Sequence, residues 1–376
     1  MNIGVIRESR AGDHRVALTP PVVRHLTERG LVVWVEAGAG RGAMFSDDEY
    51  AGAGAQVAFS GAEVIRRSDL VAKISVPTLE ELGYCRPGMV LMAFYHMAVA
   101  DRPVFQRLME GAITAIGCEI IQSGGRLPVL APISEIAGRM TVEIAAHLLR
   151  SGNGGRGILL GGSPGVPPAH VVILGAGTVG TWAARAASAG GARVTALDVD
   201  PERLRRLMEH LPNVATCLAE REAIAEAVAG ADVVIGAVLV AGRKTPHVVT
   251  RKMVETMRPG SAIIDLAIDQ GGCVETSRPT TLVQPTFLYH GVQHYCVPNL
   301  TADMGRSTSI ALAQALLPYL IEMGLRGVAG ALRHCPALAH GVYTHRGACV
   351  HPELAGAWQV EAHRLEDLLA ANPEDK

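Results

Sequence analysis

The chain lacks the features that mark several classes of protein. Its net charge is only −2, so neither a nucleic acid nor an anionic membrane surface is an expected partner. No run of about 18 uncharged apolar residues occurs, since the best candidate, residues 309–332, contains Pro318, Glu322 and Arg326. The first residues have a strand pattern and not that of a signal peptide. We therefore expect a cytoplasmic protein without a membrane partner.

Paired cysteines and metal-ligand patterns are also missing. The seven cysteines are odd in number and include no Cys-x-x-Cys pair, which favours reduced thiols. His290 and His294 have the spacing of a zinc-protease motif, but Gly291 stands where that motif needs Glu. We expect no metal.

What the chain does have is apolar bulk and a regular alternation of strand and helix patterns. Hydrophobic residues make up 49% of 376 residues and charged residues 19%, which is typical of a globular protein of about two domains. Apolar segments such as 70–76, 89–94, 232–240 and 262–268 predict buried strands. The alternation predicts an α/β fold of two Rossmann-like domains with parallel sheets, linked by long helices, with the active site in the cleft between them.

The same pattern places the domain boundaries. We expect a discontinuous substrate and catalytic domain, 1–128 plus 302–376, and a dinucleotide-binding domain, 129–301. Ser134 has the position of an N-cap before a helical pattern that runs to Leu149, and 372–376 form a polar tail.

A dinucleotide-binding motif is the clearest chemical signal. An apolar strand leads into Gly-x-Gly-x-x-Gly at Gly175, Gly177 and Gly180, followed by a helix and a second strand that ends at Asp198. The first glycine permits a tight turn, the second lets the backbone approach a pyrophosphate, and the third lets the helix pack on the strand. An acid at about this spacing binds a ribose hydroxyl. The complete unit therefore predicts a dinucleotide site.

Three further residues have chemistry that fits an active site, although each also has a structural explanation. Asp269 follows a predicted strand, where ligands of α/β sheets bind, but it could be a turn residue. His96 ends another predicted strand and could exchange a proton near neutral pH or be a structural histidine. Arg15 precedes a helix and could bind a carboxylate or form a surface ion pair.

Over about residues 1–350 the chain resembles the alanine dehydrogenase family, which is related to the soluble NAD-binding subunit of proton-translocating transhydrogenase. Several long contiguous segments carry the resemblance: 14–20, 94–96, 132–139, 154–157, 175–180, 235–240, 265–275, 277–281 and 294–299. The resemblance implies a reversible reaction in which an L-amino acid loses hydride from Cα to nicotinamide and the imine is hydrolysed to a 2-oxo acid and ammonia. It also implies a homo-oligomer, a hexamer or a dimer.

The resemblance further implies roles for single positions. Arg15 would bind the substrate carboxylate, His96 would be the general acid and base, and Asp269 would help to position water or ammonia. Asp198 would hold the adenosine ribose and favour NAD over NADP. The implied cofactor-binding residues are Ser134, Gly175, Gly177, Thr178, Val179, Gly180, Asp198, Arg203, Val238 and Asn299.

One departure from the family concerns the substrate site. The family carries Lys-x-Lys-Glu-Pro where this chain has Lys73-Ile-Ser75-Val-Pro77, so Ser75 replaces the lysine that contacts the substrate's carbonyl oxygen. Removing such a donor costs about 3 kcal/mol of transition-state stabilisation. Lys73 would share a strand face with Ser75 at a distance of about 6.6 Å and could partly compensate.

Three hypotheses follow from this departure. The favoured one is an NAD(H)-dependent oxidoreductase of the alanine dehydrogenase type whose substrate, a small amino acid, oxo acid or imine, differs from alanine. The second is an orthodox L-alanine dehydrogenase that tolerates Ser75. The third is a non-catalytic NAD-binding protein related to the transhydrogenase subunit, which His96 makes the least favoured because those subunits lack this histidine.

Overall fold

The computed structural model describes residues 1–97, 99–100, 102–239 and 244–371. The strands are β1 Asn2–Val5, β2 Val32–Glu36, β3 Gln56–Ala58, β4 Leu70–Ala72, β5 Val90–Ala93, β6 Thr114–Gly117, β7 His170–Leu174, β8 Arg193–Asp198, β9 Ala215–Leu218, β10 Val233–Gly236, β11 Ala262–Asp265, β12 Thr286–Tyr289, β13 Val292–Tyr295, β14 Val342–His345 and β15 Ala348–Cys349. The helices are α1 Pro20–Thr27, α2 Asp47–Gly52, α3 Gly61–Arg67, α4 Leu79–Gly83, α5 Arg102–Glu110, α6 Leu130–Leu148, α7 Thr178–Ala189, α8 Pro201–His210, α9 Arg221–Gly230, α10 Arg251–Glu255, α11 Gly305–His334, α12 Pro336–His340, α13 Pro352–Trp358 and α14 Leu365–Ala370. Short 3-10 helices cover Arg41–Ala43, Ser151–Asn153, Leu266–Gln270 and Leu300–Met304.

The chain divides into two compact units, each built on its own sheet. Unit 1 comprises Met1–Ile133 and Thr301–Lys376, and unit 2 comprises Ser134–Leu300. The strands of both units are mostly buried on both faces, as parallel strands covered by helices must be.

Unit 1 contains an eight-stranded sheet in the order β15-β14-β6-β5-β4-β1-β2-β3. Strands β1 to β6 are parallel, whereas β14 runs antiparallel to β6 and β15 antiparallel to β14. The chain order reverses between β1 and β4, which both leave the sheet at the same edge. Crevices at such reversal points are where α/β sheets bind ligands.

Unit 2 contains a seven-stranded sheet in the order β12-β13-β11-β10-β7-β8-β9. Its strands are parallel except for β12, which pairs antiparallel with β13. Here the order reverses between β7 and β10, so the glycine turn after β7 lies at the reversal point.

Helix α11 fills the core of unit 1. Leu312, Leu316, Leu320 and Met323 recur at helical spacing, and all are fully buried in that core. By length and composition alone the segment Leu300–His334 could cross a membrane. In its most apolar stretch of 18 residues, 39% is buried within the protein. Because its apolar face packs in the core of unit 1, the apolar composition is explained by its place as a core helix. The helix is interrupted at Gly327, which has φ 69°.

Several elements end or begin differently from the sequence-based expectation. The apolar segment 70–76 is a strand only to Ala72. Lys73 and Ile74 still share backbone bonds with the neighbouring strand segment, but the N–H groups of Ile74 and Ser75 donate to the Glu8 carboxyl group. The segment 262–268 is a strand only to Asp265, whose side chain accepts from the Ala267 N–H and begins a 3-10 helix.

The N-cap prediction for Ser134 is wrong. Helix α6 begins earlier, at Leu130, and Ser134 lies inside it. Pro132 is tolerated in this first turn because its missing N–H would have no intrahelical partner there. The predicted tail at 372–376 and Val240, at the end of the predicted strand 232–240, lie outside the described residues.

Candidate active site

The loops at the reversal point of unit 1 bring a cluster of charged side chains together. The loop after β1 carries Glu8, Asp13 and Arg15, and the segment after β4 carries Lys73 and Ser75. Glu8 pairs with Lys73, and Asp13 pairs with Arg15 and Ser75. The Ser75 N–H donates to Glu8 and so links the two groups into one polar cluster at the carboxyl edge of the sheet.

Arg15 is held by Asp13 in a two-pronged ion pair. Arg15 Nε donates to Asp13 Oδ1 at 2.8 Å and Nη2 donates to Oδ2 at 2.5 Å, with both side chains almost fully buried. A third donor, Nη1, reaches Thr301 Oγ1 at 3.2 Å. Burial alone would raise the pKa of Asp13, but the hydrogen bonds and charge of Arg15 lower it below the usual value.

Ser75 belongs to the same cluster. Its hydroxyl donates to Asp13 Oδ2 at 3.1 Å, the oxygen that also receives Arg15 Nη2. The residue that replaces the family's lysine is therefore a hydrogen-bond partner of the carboxylate that pairs with Arg15. The hydroxyl adds no charge to this group, and the formal charges of Asp13 and Arg15 cancel.

Lys73 occupies a different place from the one expected. It follows the last residue of β4, and its ammonium is 3.3 Å from Glu8 Oε2 and 3.2 Å from Glu81 Oε1. The side chain is only 2% exposed. Because two carboxylates hold this buried ammonium, Lys73 does not stand as a free substitute for a lysine at position 75.

His96 follows β5, the neighbour of β4 in the sheet. It adopts φ 47°, in the left-handed region that non-glycine residues rarely occupy outside turns and functional sites. Its backbone N–H donates to Glu119 Oε1 at 2.7 Å, and the imidazole stacks on Phe94 with ring centroids 6.3 Å apart. Nδ1 is buried and has no hydrogen-bond partner among the described residues.

The glycine turn of unit 2 has the steric requirements that the motif predicts. Gly175 has φ 102°, and a Cβ there would lie 2.5 Å from the Ala237 carbonyl oxygen and 3.3 Å from the nitrogen of Val238. A Cβ at Gly180 would collide with the Gly175 carbonyl oxygen. At Gly177 a Cβ would meet nothing within 4 Å, so this position opens onto free space at the start of α7.

Asp198 ends β8 beside this turn. Its Oδ2 accepts from the Ala176 N–H at 2.6 Å and its Oδ1 from the Asp200 N–H at 2.9 Å. Arg203 lies between the two acids, with Nη1 3.6 Å from Asp198 Oδ2 and Nε 3.5 Å from Asp200 Oδ2. Two carboxylates thus offset the one guanidinium beside the glycine turn.

These features fit a bound dinucleotide. The space at Gly177 lies against the first N–H groups of α7, where Thr178 and Val179 begin the helix, and such helix starts favour phosphate. Val238 adjoins the turn at the reversal point of the sheet. Ser134 lies inside α6 and is 9% exposed.

Asp269 and Asn299 form a pair elsewhere in unit 2. Both carboxyl oxygens of Asp269 lie near the Asn299 N–H, at 3.0 and 3.2 Å, and Asn299 has φ 54°. Asp269 is part of the 3-10 helix after β11 rather than at the strand end. The carboxylate at the strand end is Asp265, which is buried and accepts from the backbone of Cys273 and Val274, so its position is structural.

His294, the second of the two histidines with zinc-protease spacing, has structural surroundings. Both ring nitrogens of His294 have partners, Thr276 Oγ1 at 2.7 Å and the Val292 carbonyl oxygen at 3.1 Å, and the ring stacks on Phe287. All seven cysteines lie in the described part of the chain as free thiols.

The sequence-based prediction missed three carboxylates of unit 1. Asp13 joins Arg15 to Ser75, Glu8 anchors the loop of Lys73, and Glu119 binds the backbone of His96. A signal existed for Glu8, because it follows the predicted first strand on the edge where Arg15 and Ser75 lie. What the sequence did not show was which partner each carboxylate takes.

Comparisons with known proteins match most of the chain to one family. Residues 4–137 match the family model described as alanine dehydrogenase/PNT, N-terminal domain, and residues 141–352 match its C-terminal domain. The alanine dehydrogenase of Mycobacterium tuberculosis is 43% identical over 94% of this chain and 96% of its own length.

Solved structures give the same result. A structure described as L-alanine dehydrogenase is 42% identical, with a TM-score of 0.89 over 96% of this chain and 99% of that one. A transhydrogenase structure from Sinorhizobium meliloti is 28% identical, with a TM-score of 0.78 over 94% of this chain and all of that one. The predicted fold class and the resemblance are confirmed. This chain belongs to the alanine dehydrogenase/PNT family.

Proposed function

We propose that the protein is an NAD(H)-dependent oxidoreductase that acts on the amino or imine group of a small L-amino acid other than alanine. Family membership confirms the predicted class, an alanine dehydrogenase-like oxidoreductase that uses NAD. The proposal concerns the substrate and the residues that handle it.

The family's chemistry assigns a task to each candidate residue. Bound nicotinamide supplies the hydride acceptor or donor. We assign the substrate carboxylate to Arg15, whose planar guanidinium is fixed by Asp13 and Thr301. His96 exchanges the proton of the substrate's amino group or of water, and Asp269 orients the water or ammonia.

One observation carries the choice of substrate: the Ser75 hydroxyl donates to Asp13, and the nearby Lys73 ammonium is taken by Glu8 and Glu81. Ketone chemistry develops an oxyanion as ammonia or water adds and leaves, and this oxyanion needs a strong donor. Hydride transfer between an amino acid and its iminium develops no oxyanion. The residues retained here therefore suit an amine–imine couple better than the condensation of a 2-oxo acid with ammonia.

A substrate screen tests the proposal. Purified protein with NAD or NADP is assayed at the NADH absorbance band against small L-amino acids, and with NADH against 2-oxo acids plus ammonia and against cyclic imino acids, which arrive with the C=N bond formed. We expect turnover with NAD, and a higher kcat/KM for a cyclic imine than for pyruvate plus ammonia. Fast turnover of alanine and pyruvate would instead establish the orthodox alanine dehydrogenase, and NADH binding without any turnover would establish the non-catalytic protein.

We also propose a cytoplasmic homo-oligomer. Seven free thiols, six of them on buried or half-buried residues, suit a reducing compartment. Light scattering after size exclusion measures the assembly directly, and a monomer at micromolar concentration would contradict the proposal.

A further inference from the structure

Glu119 stands out as a buried acid that the proposed chemistry does not use. It follows β6, the neighbour of β5, and is 4% exposed. Its Oε1 accepts from the His96 N–H at 2.7 Å and from the Tyr343 hydroxyl at 2.9 Å, and its Oε2 lies 3.3 Å from the Tyr95 N–H. All three donors are neutral groups.

Two backbone donors tie His96 to Glu119. The N–H groups of Tyr95 and His96 both donate to its carboxyl group, which holds the peptide unit that leads into the Cα of His96, and His96 itself has φ 47°. Consecutive N–H groups arranged in this way form a concave anion-binding nest. A left-handed conformation is unfavourable for histidine, and the hydrogen bonds to Glu119 offset that cost.

The imidazole depends on this backbone for its position. Its Nδ1 has no hydrogen-bond partner in the described part of the chain, so no side-chain bond at that nitrogen fixes the ring. The stacked Phe94 limits the ring on one face only. The direction of the Cα–Cβ bond, which the backbone sets, therefore limits the positions that Nε2 can reach.

We infer that Glu119 is a positioning residue that holds His96 in its reactive orientation through the backbone. This inference rests on the proposed role of His96 as the proton-transfer group. Tyr343 supports Glu119 in turn: burial, with the nearby Glu119, raises the pKa of Tyr343 well above its usual value, so the hydroxyl keeps its proton and donates.

The main test is Glu119→Gln, which keeps the shape but places an amide NH2 among groups that donate. Misplacement of a catalytic group by about 1 Å costs about a hundredfold in rate, so we expect kcat to fall between about tenfold and a hundredfold. The KM of the best substrate and the NADH affinity measured by fluorescence should change little, since Glu119 touches neither ligand's proposed site, whereas the Tm should fall because a buried amide N–H is left facing other donors. Tyr343→Phe is the matched control. It removes one hydrogen bond to Glu119 and leaves both backbone bonds, so kcat should stay within about threefold.

A double-mutant cycle separates positioning from a general structural role. His96→Asn removes proton transfer while tolerating the left-handed backbone. In that background Glu119→Gln should cause no further loss of the residual rate. An equal loss in both backgrounds would overturn the inference, and so would an unchanged kcat in the single variant. If His96→Asn itself keeps full activity, the proposed role of His96 fails, which is a different result.

A second variant with a shorter acid tests the same inference if the Glu119→Gln protein does not fold. Glu119→Asp keeps the carboxyl group but withdraws it by one methylene, so it should lower kcat by several-fold at unchanged KM. A wild-type kcat for this variant would also overturn the inference.

Discussion

Restoring the family's lysine is the sharpest test of how the substrate site works. Ser75→Lys places an ammonium beside Asp13, where the serine hydroxyl now donates. If the pocket is otherwise that of an alanine dehydrogenase, this ammonium supplies the missing donor to the substrate's oxygen. We expect kcat/KM for alanine to rise.

The magnitude follows from two opposing terms. A donor to a developing oxyanion contributes about 3 kcal/mol, or about a hundredfold in rate. Asp13, which already accepts from Arg15 at 2.5 and 2.8 Å, would also attract the new ammonium and draw part of it away from the substrate. If that competition removes half of the gain, about 1.5 kcal/mol remains, so we expect an increase of about tenfold and at most about a hundredfold.

The assay measures initial rates of NADH formation from alanine and NAD for the wild type, Ser75→Lys and the control Ser75→Met. The methionine has similar length but no charge, so it should not increase the rate. Both variants must retain the wild-type affinity for NADH. An unchanged alanine rate in a folded, NADH-binding Ser75→Lys variant would refute the reasoning and show that the pocket differs at more positions than this one.

Three further substitutions have expected outcomes. Asp13→Asn should lower the free energy of unfolding by about 3 kcal/mol in urea titrations at pH 7, because it removes the carboxylate paired with buried Arg15. Since the folded-state pKa of Asp13 lies below 3.8, this contribution is present above that pH and is lost as the pH falls further, so the variant and wild type should converge in strong acid. Gly177→Ala should keep the Tm but weaken NADH binding at least about tenfold, because its Cβ enters the space for the pyrophosphate, whereas Gly152→Ala, equally open, should leave binding unchanged. Asp198→Ser should raise the ratio of NADP-dependent to NAD-dependent kcat/KM, since it removes a negative charge near the ribose; an unchanged ratio would contradict the role of this acid.

The sequence predicted best what depends on short stretches of chain. The glycine turn needs only the residues between Gly175 and Gly180, and its steric demands are the same in any α/β sheet. The parallel sheets followed from apolar runs of strand length. Strand ends were less predictable, because apolar residues such as Ile74 and Val76 continue past Ala72, where β4 ends.

The partners of the candidate residues could not be predicted in the same way. The bond from Ser75 to Asp13 joins positions 62 residues apart, and that from Tyr343 to Glu119 spans 224 residues. No local pattern encodes such pairings, which exist only once the sheet order is known. The loss of the lysine at Ser75 was visible, but the commitment of Lys73 to Glu8 and Glu81 was not.

These pairings change what the substitution at position 75 means. Arg15 reaches the site with its charge already balanced by Asp13, and Lys73 is outnumbered by Glu8 and Glu81, so the cluster carries no spare positive charge. An anionic 2-oxo acid brings one negative charge into this surrounding, whereas an amino acid or its iminium brings a carboxylate and a cation together. Charge balance therefore favours the zwitterionic partners, and the Ser75 hydroxyl is compatible with them because it needs no counter-charge of its own. The same reasoning explains why a single added ammonium at this position should alter the substrate preference as well as the rate.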